Sequence, residues 1–245
     1  MRAALIRVGV DQAYGRWNAP VDPETGDFVY VPIPEGPKAP VQQALATTYD
    51  AVEPELRAFA TRSKAVGSQA CSLPSDLRGA VTHLDPDFRH LTYGDNGERR
   101  GKGITDFGPG DVLAFYAGLR PIRRCEHRLI YALIGLYRVA EVVRVASVPR
   151  ERWSENAHLR RQHHRATDVI VRAAPGSSGR LRWCLPIGEF RNGAYRVRMD
   201  LLNRWGGLSC RDGFIQRSAV PPMFLHPERF MAWFEQVHLG LIAAN

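Results

Sequence analysis

Two apolar stretches constrain the fold of this chain more than anything else in it. GDVLAFYAGL, residues 110–119, carries the β-branched and aromatic side chains of a strand. RLIYALIGLYRVAEVVRV, residues 128–145, reads as a second extended segment, with a bend expected near Gly135. Between them lies the basic connector RPIRRCEH. Two apolar runs joined by a connector of this size predict a hairpin, and neither approaches the ~20 apolar residues of a membrane span.

The remaining segments are shorter. Residues 2–10 read as a buried strand, and DFVYVPIPE, residues 27–35, alternates before meeting Pro32 and Pro34, as an edge strand or its exit does. Residues 40–66 have helical spacing through Ala44, Leu45, Leu56, Phe59 and Ala60, whereas residues 67–110 are rich in Gly, Asp, Pro and Ser and read as long loops. SVPRERWSENAHLRRQHH has helical character, and TDVIVRAA and RLRWCLPI are strands separated by the turn PGSSG. At the end, Phe230, Trp233, Phe234, Val237 and Leu241 line one face of an amphipathic helix that starts near Pro227. The fold class is therefore α+β with a curled sheet, in one domain over residues 1–245.

Cys71, Cys125, Cys184 and Cys210 are widely separated and form no C-x-x-C pair, so neither a zinc ribbon nor a redox motif is indicated. Cys184 and Cys210 are expected in the core. With no signal-peptide pattern, the expected location is the cytoplasm, without a membrane partner. The net charge is +8, and 30 of the 33 basic residues are arginine. Residues 1–80 hold 8 basic and 9 acidic side chains, while residues 120–211 hold 19 and 7. Codon bias would spread arginine evenly; concentration of this kind suits a phosphate-facing surface, although a solvated arginine-rich face is the plain alternative.

LIRVGVDQAYGRWNAPVD, YVPIPE, HLDPDF, TYGD, GDVLAFYAGL, YALIGLYRVAEV and NAHLRR follow one another in this order. Together they resemble the nucleotide modification associated domain family, the third of the families so named. The resemblance implies a place in systems that install or process hypermodified bases in DNA, in phage or bacterial defence. GDVLAFYAG with ALIGLYRVAEV is also similar to the paired strands of PUA, ASCH and EVE barrels, which implies a PUA-like strand core at about 108–190 with flanking helices and a cleft for RNA or a modified base.

Candidate residues follow. Asp11, Tyr14, Trp17 and Asn18 leave the first strand; either they form a base pocket or catalytic corner, or Asp11 and Asn18 cap turns while Trp17 packs. Tyr93 and Asp95 lie in HLTYGDNGERRGKG, whose glycines and basic Arg99, Arg100 and Lys102 suit either a phosphate loop or a simple turn. Phe115 and Tyr116 stand beside Arg120, Arg123 and Arg124, a setting for stacking and phosphate contact; strand alternation makes one of the two aromatics core. NAHLRRQHHR offers Asn156 and His158, with Arg160, Arg161 and Arg165 as phosphate ligands; on a helix, His158, Arg161 and Arg165 share a face. Asp11, Asp95, Asn156 and His158 are the catalytic candidates, and Tyr14, Trp17, Asn18, Tyr93 and Tyr116 the base-pocket candidates. No metal ligand set and no cofactor is assigned, because the His158, His163, His164 spacing has no cysteine or carboxylate at ligand distance along the chain. Cys125 beside Glu126 and His127 is a weak nucleophile candidate.

The expected activity is engagement of nucleic acid, DNA first with RNA left open, and of a modified or modifiable base in a polar and aromatic pocket. Chemistry on the base substituent (hydrolysis, hydration or amide formation on a 7-deazaguanine-type base) is the enzymatic alternative. A non-catalytic assembly factor that binds other DNA-modification enzymes is the third.

Overall fold

The computed structural model describes residues 1–98, 103–217, 220–237 and 240–245; Arg99, Arg100 and Lys102 lie outside the described residues. In chain order the elements are β1 (Ala3–Arg7), β2 (Pro20–Val21), β3 (Ile33–Pro34), α1 (Glu53–Arg62), β4 (Thr82–His83), β5 (Thr92–Asp95), β6 (Val112–Pro121), β7 (Ile130–Arg144), α2 (Ala157–Arg160), β8 (Val169–Ala173), β9 (Gly179–Pro186), β10 (Gly188–Arg191), β11 (Ala194–Val197), α3 (Met199–Trp205), α4 (Pro227–Gln236) and β12 (Leu241–Ile242). Among the described residues, no helix is long and apolar enough to cross a membrane.

The expected hairpin is the spine. β6 pairs antiparallel with β7, and β1 adds to the far edge of β6 in parallel. β7 is long enough to serve two neighbours, β9 along its first half and β8 along its second; β5 then pairs with β8. A register shift passes Ile134 without a partner, so the bend expected near Gly135 is a bulge. The shift also reverses which residues face which side. Ala132 and Ile134 face one core before it, and Tyr137 and Val139 face that same core after it. Gly135 has to lack a side chain here, because a Cβ would stand 2.7 Å from Phe88 Cζ. The strands curl into a mixed sheet whose pairing does not close into a barrel among the described residues.

Both faces of this sheet are covered, and that explains why β6 reads as a continuous apolar run. Leu113, Phe115, Ala117 and Leu119 pack under the N-terminal half, against Trp17, Phe28, Tyr30 and Tyr49. Val112, Ala114 and Tyr116 pack under the C-terminal half, against Trp205, Phe230 and Trp233. Phe115 and Tyr116 are thus both core, on opposite faces, where alternation over a one-sided sheet predicted a single buried ring.

Several boundaries differ from those expected: the edge strand over residues 27–35 is reduced to β3, and the stretch 67–110, expected as loops, contains β4 and β5. The helix predicted over 40–66 is confined to α1, preceded by isolated single turns. The helical character of residues 147–164 resolves into a 3₁₀ segment, Arg150–Glu155, and the one-turn α2, which ends at Arg160; Arg161 and Arg165 therefore share no helix face with His158. Leu241 leaves α4 and joins the sheet through β12.

Candidate functional site

Where β1 ends beside β5, a cavity of about 640 Å³ opens. Its walls come from the exit of β1 (Arg7, Gly9, Asp11, Tyr14), from β4 and the turn after it (His83, Asp85), from β5 (Tyr93, Gly94, Asp95), and from His158 on α2. Gly94 lets α2 approach β5 closely: a Cβ there would sit 2.6 Å from Asn156 Oδ1 and 2.8 Å from His158 Cγ.

The floor is a hydrogen-bonded set of buried polar groups. Asp85 Oδ1 accepts from Gly94 N–H at 2.8 Å and from Asn156 Nδ2 at 3.0 Å. Asn156, fully buried, also caps α2, accepting from His158 N–H at 2.9 Å. Asp85 Oδ2 is left facing the two imidazoles, 3.9 Å from His83 Nε2 and 3.9 Å from His158 Nε2. Behind them, His83 Nδ1 lies 2.8 Å from Glu35 Oε2, and Arg161 Nη2 donates to Glu35 Oε1 at 2.9 Å.

Electrostatics follow from burial. Loss of water pushes the Asp85 carboxyl up to about 7, against the opposing pull of His83, Gly94 N–H and Asn156. Burial, helped by the positive charge of Arg161 and Arg165, holds His158 well below the usual imidazole range, so it is a neutral ring at pH 7. Burial acts against Glu35 ionisation too, but the hydrogen bonds from His83 and Arg161 outweigh it and hold the carboxyl at about 2. Asp95 is raised by burial, with the charge of Asp168 adding to the effect. The site thus combines a carboxyl near neutrality, the neutral imidazole of His158, a second imidazole from His83 and a fixed anion behind it, a set able to exchange protons or to hold a cation.

The expected residues divide. Tyr93, Asp95, Tyr116, His158 and Arg165 line this cavity with Asp11 and the 44% exposed Tyr14, and Asn156 supports its floor. Asp11 Oδ1 accepts from the N–H groups of Ala13 and Tyr14 at 2.7 and 2.9 Å, the turn-capping arrangement, while its Oδ2 meets Arg7 at 3.4 Å. Trp17 is packed in the core, and buried Asn18 donates to the Gly118 carbonyl at 2.7 Å. The Tyr116 hydroxyl donates to the Ile215 carbonyl at 2.7 Å.

Several arginines are bound internally. Arg160 is buried and donates to Asp87 at 2.9 Å; Arg161 holds Glu35; Arg123 donates to Asp22 at 3.0 Å and to the Ser63 carbonyl at 2.7 Å. Arg120, Arg124 and Arg165 are exposed, Arg165 with Glu98 at 3.5 Å. Arg120 opens onto a second cavity of about 590 Å³, which shares Arg7 and Asp11 with the first and adds Arg128, Arg217 and the exposed ring of Phe190. Cys125 is exposed, with its Sγ 3.2 Å from the His127 carbonyl oxygen, and borders neither cavity.

Glu35, His83 and Asp85 were not among the sequence candidates. The available signal was H-x-D inside HLDPDF, masked because residues 67–110 read as loop. A family model described as nucleotide modification associated domain 3 matches residues 2–203. No curated protein and no solved structure gives a match.

Proposed function

The chain belongs to the nucleotide modification associated domain 3 family, and on that premise we propose that it engages DNA and receives a modified or modifiable base in the 640 Å³ cavity. The observation that carries this reading is the pairing of two adjoining cavities of different character. The first has a buried polar floor, Asp85, Asn156 and His158, under aromatic walls from Tyr14 and Tyr93. That suits a base edge with a stacked face. The second is rimmed by arginines and carries an exposed ring, Phe190, as a flanking phosphate and nucleotide would require. Base entry from a duplex costs a few kcal/mol of unstacking, repaid by edge contacts and stacking. Phosphate contact falls to Arg120, Arg124 and Arg165, whose forks reach solvent.

The test is binding of labelled DNA followed against salt. Contact with phosphates gives an affinity that falls with a log–log slope of about −0.9 per contact on duplex DNA; a slope near zero contradicts the reading. A preference for DNA carrying a hypermodified base over plain DNA is expected, and equal affinity counts against base recognition.

The protonation pattern favours one second reading, chemistry on the base substituent. A carboxyl poised near neutrality, Asp85, beside a neutral imidazole, His158, can supply acid and base. Mass spectrometry of nucleosides from modified DNA, incubated with and without the protein, decides it.

A further inference from the structure

We propose that His83, Asp85 and His158 bind one divalent transition-metal ion at the floor of the cavity. The three residues come from separate places in the fold, β4, the turn after it and α2, and one donor atom from each lies within 4.8 Å of the others. Each Nε2 is 3.9 Å from Asp85 Oδ2. A point equidistant from three such atoms is at most about 2.5 Å from each, so each donor closes by roughly 0.4 Å to reach the ~2.1 Å bonds that imidazole and carboxylate ligands make. Side chains move that far without the backbone.

The surroundings match what a ligand set needs. His83 Nδ1 lies 2.8 Å from Glu35, so Nε2 is the ring nitrogen that faces Asp85 and the cavity, free to ligate when the ring proton sits on Nδ1. A carboxylate behind a histidine is the usual way a ligating imidazole is oriented. Asp85 Oδ1 is occupied by Gly94 N–H and Asn156, so Oδ2 is the oxygen offered to an ion. Arg161 Nη1 stands 3.3 Å from His158 Nδ1. Ligation through Nε2 places the ring proton on Nδ1 and ends that bond, while the Arg161 bond to Glu35 at 2.9 Å remains. A buried carboxylate between two imidazoles is also better neutralised by a cation than by nothing.

Two nitrogens and one oxygen favour the Mn²⁺-to-Zn²⁺ series over Mg²⁺ or Ca²⁺, which prefer oxygen-only shells. All three ligands border the cavity, so the remaining coordination positions face its contents.

The full chain, stripped with EDTA, is titrated with Co²⁺ followed by visible d–d absorption and with Zn²⁺ by calorimetry, Mg²⁺ serving as the control. One Co²⁺ or Zn²⁺ per chain is expected, with no comparable Mg²⁺ binding. Asp85→Asn is expected to abolish the Co²⁺ bands and weaken Zn²⁺ at least ~10-fold, and Glu35→Gln to weaken it by about 10–100-fold. Asp85→Asn keeps an oxygen for Gly94 N–H and removes a buried charge, so its melting temperature in EDTA should be no lower than that of the natural protein, which separates lost ligation from lost fold. Failure of the natural protein to bind stoichiometrically, or natural affinity in Asp85→Asn, overturns the site. No nucleic acid is present, so the outcome is independent of base recognition.

Discussion

Gly94→Ala tests the packing on which the site depends. Gly94 has no left-handed backbone angle, so alanine brings no backbone strain and the cost is steric alone. The new Cβ would stand 2.6 Å from Asn156 Oδ1 and 2.8 Å from His158 Cγ, where carbon contacts normally settle at about 3.5–4.0 Å. Neither neighbour is the free end of a flexible side chain. Asn156 is fully buried and bonded to both Asp85 and His158 N–H, and the His158 ring is buried beside it. Relief therefore means moving α2 away from β5 by roughly 1 Å, at a cost of about 1–3 kcal/mol for overpacking of this kind. For a chain of this size that lowers Tm by about 2–12 °C. The same displacement breaks the Asn156–Asp85 bond and spreads His83, Asp85 and His158, so Co²⁺ and DNA binding should both weaken by at least tenfold while circular dichroism stays native. Gly36→Ala is the control: a Cβ there meets nothing within 4 Å. If Gly94→Ala melts and binds like the natural protein, the close approach of α2 to β5 is not what builds the site.

Other consequences are separable. Arg160→Met removes the guanidinium from the fully buried Asp87, leaving His90 as its basic neighbour, and should cost about 3 kcal/mol in urea denaturation, with the salt slope for DNA unchanged. Arg124→Gln and Arg120→Gln should do the reverse, each reducing the salt slope by about 1 and shifting stability by no more than about 0.5 kcal/mol. Among the thiols, exposed Cys125 should react first with a disulfide reagent, whereas Cys184, buried and pushed up to about 12 by desolvation, should react only on unfolding, as counted by mass spectrometry.

What the sequence made legible was regular and apolar. The β6–β7 hairpin, its bend and the packing face of α4 follow from periodicity, because those residues are chosen for burial. The second core was hidden, since alternation cannot reveal that both sides of β6 are covered. The charge map does not say which arginines reach solvent. Arg123, Arg160 and Arg161 from the basic half pair with Asp22, Asp87 and Glu35 from the first hundred residues, so these three arginines are taken up when the halves pack, while Arg120, Arg124 and Arg165 stay exposed. The site itself showed only as fragments. His158 and Asn156 were visible in one segment and Asp95 in another, but His83 ends the two-residue strand β4 and Asp85 sits in the turn after it, too short a run for any period to mark which side chains turn inward. Asp11, one of the catalytic candidates, lines both cavities and also caps the turn that brings Tyr14 to the rim of the first.

The central claim is that the cavity beside β5 receives a nucleobase. Photocrosslinking to single-stranded DNA containing 5-bromodeoxyuridine, read by peptide mass spectrometry, tests it most directly. The account predicts crosslinks at Tyr14 and Tyr93, which line that cavity, lost in Gly94→Ala. Crosslinks confined to aromatic residues remote from it, such as exposed Trp183, with none at Tyr14 or Tyr93, would contradict it.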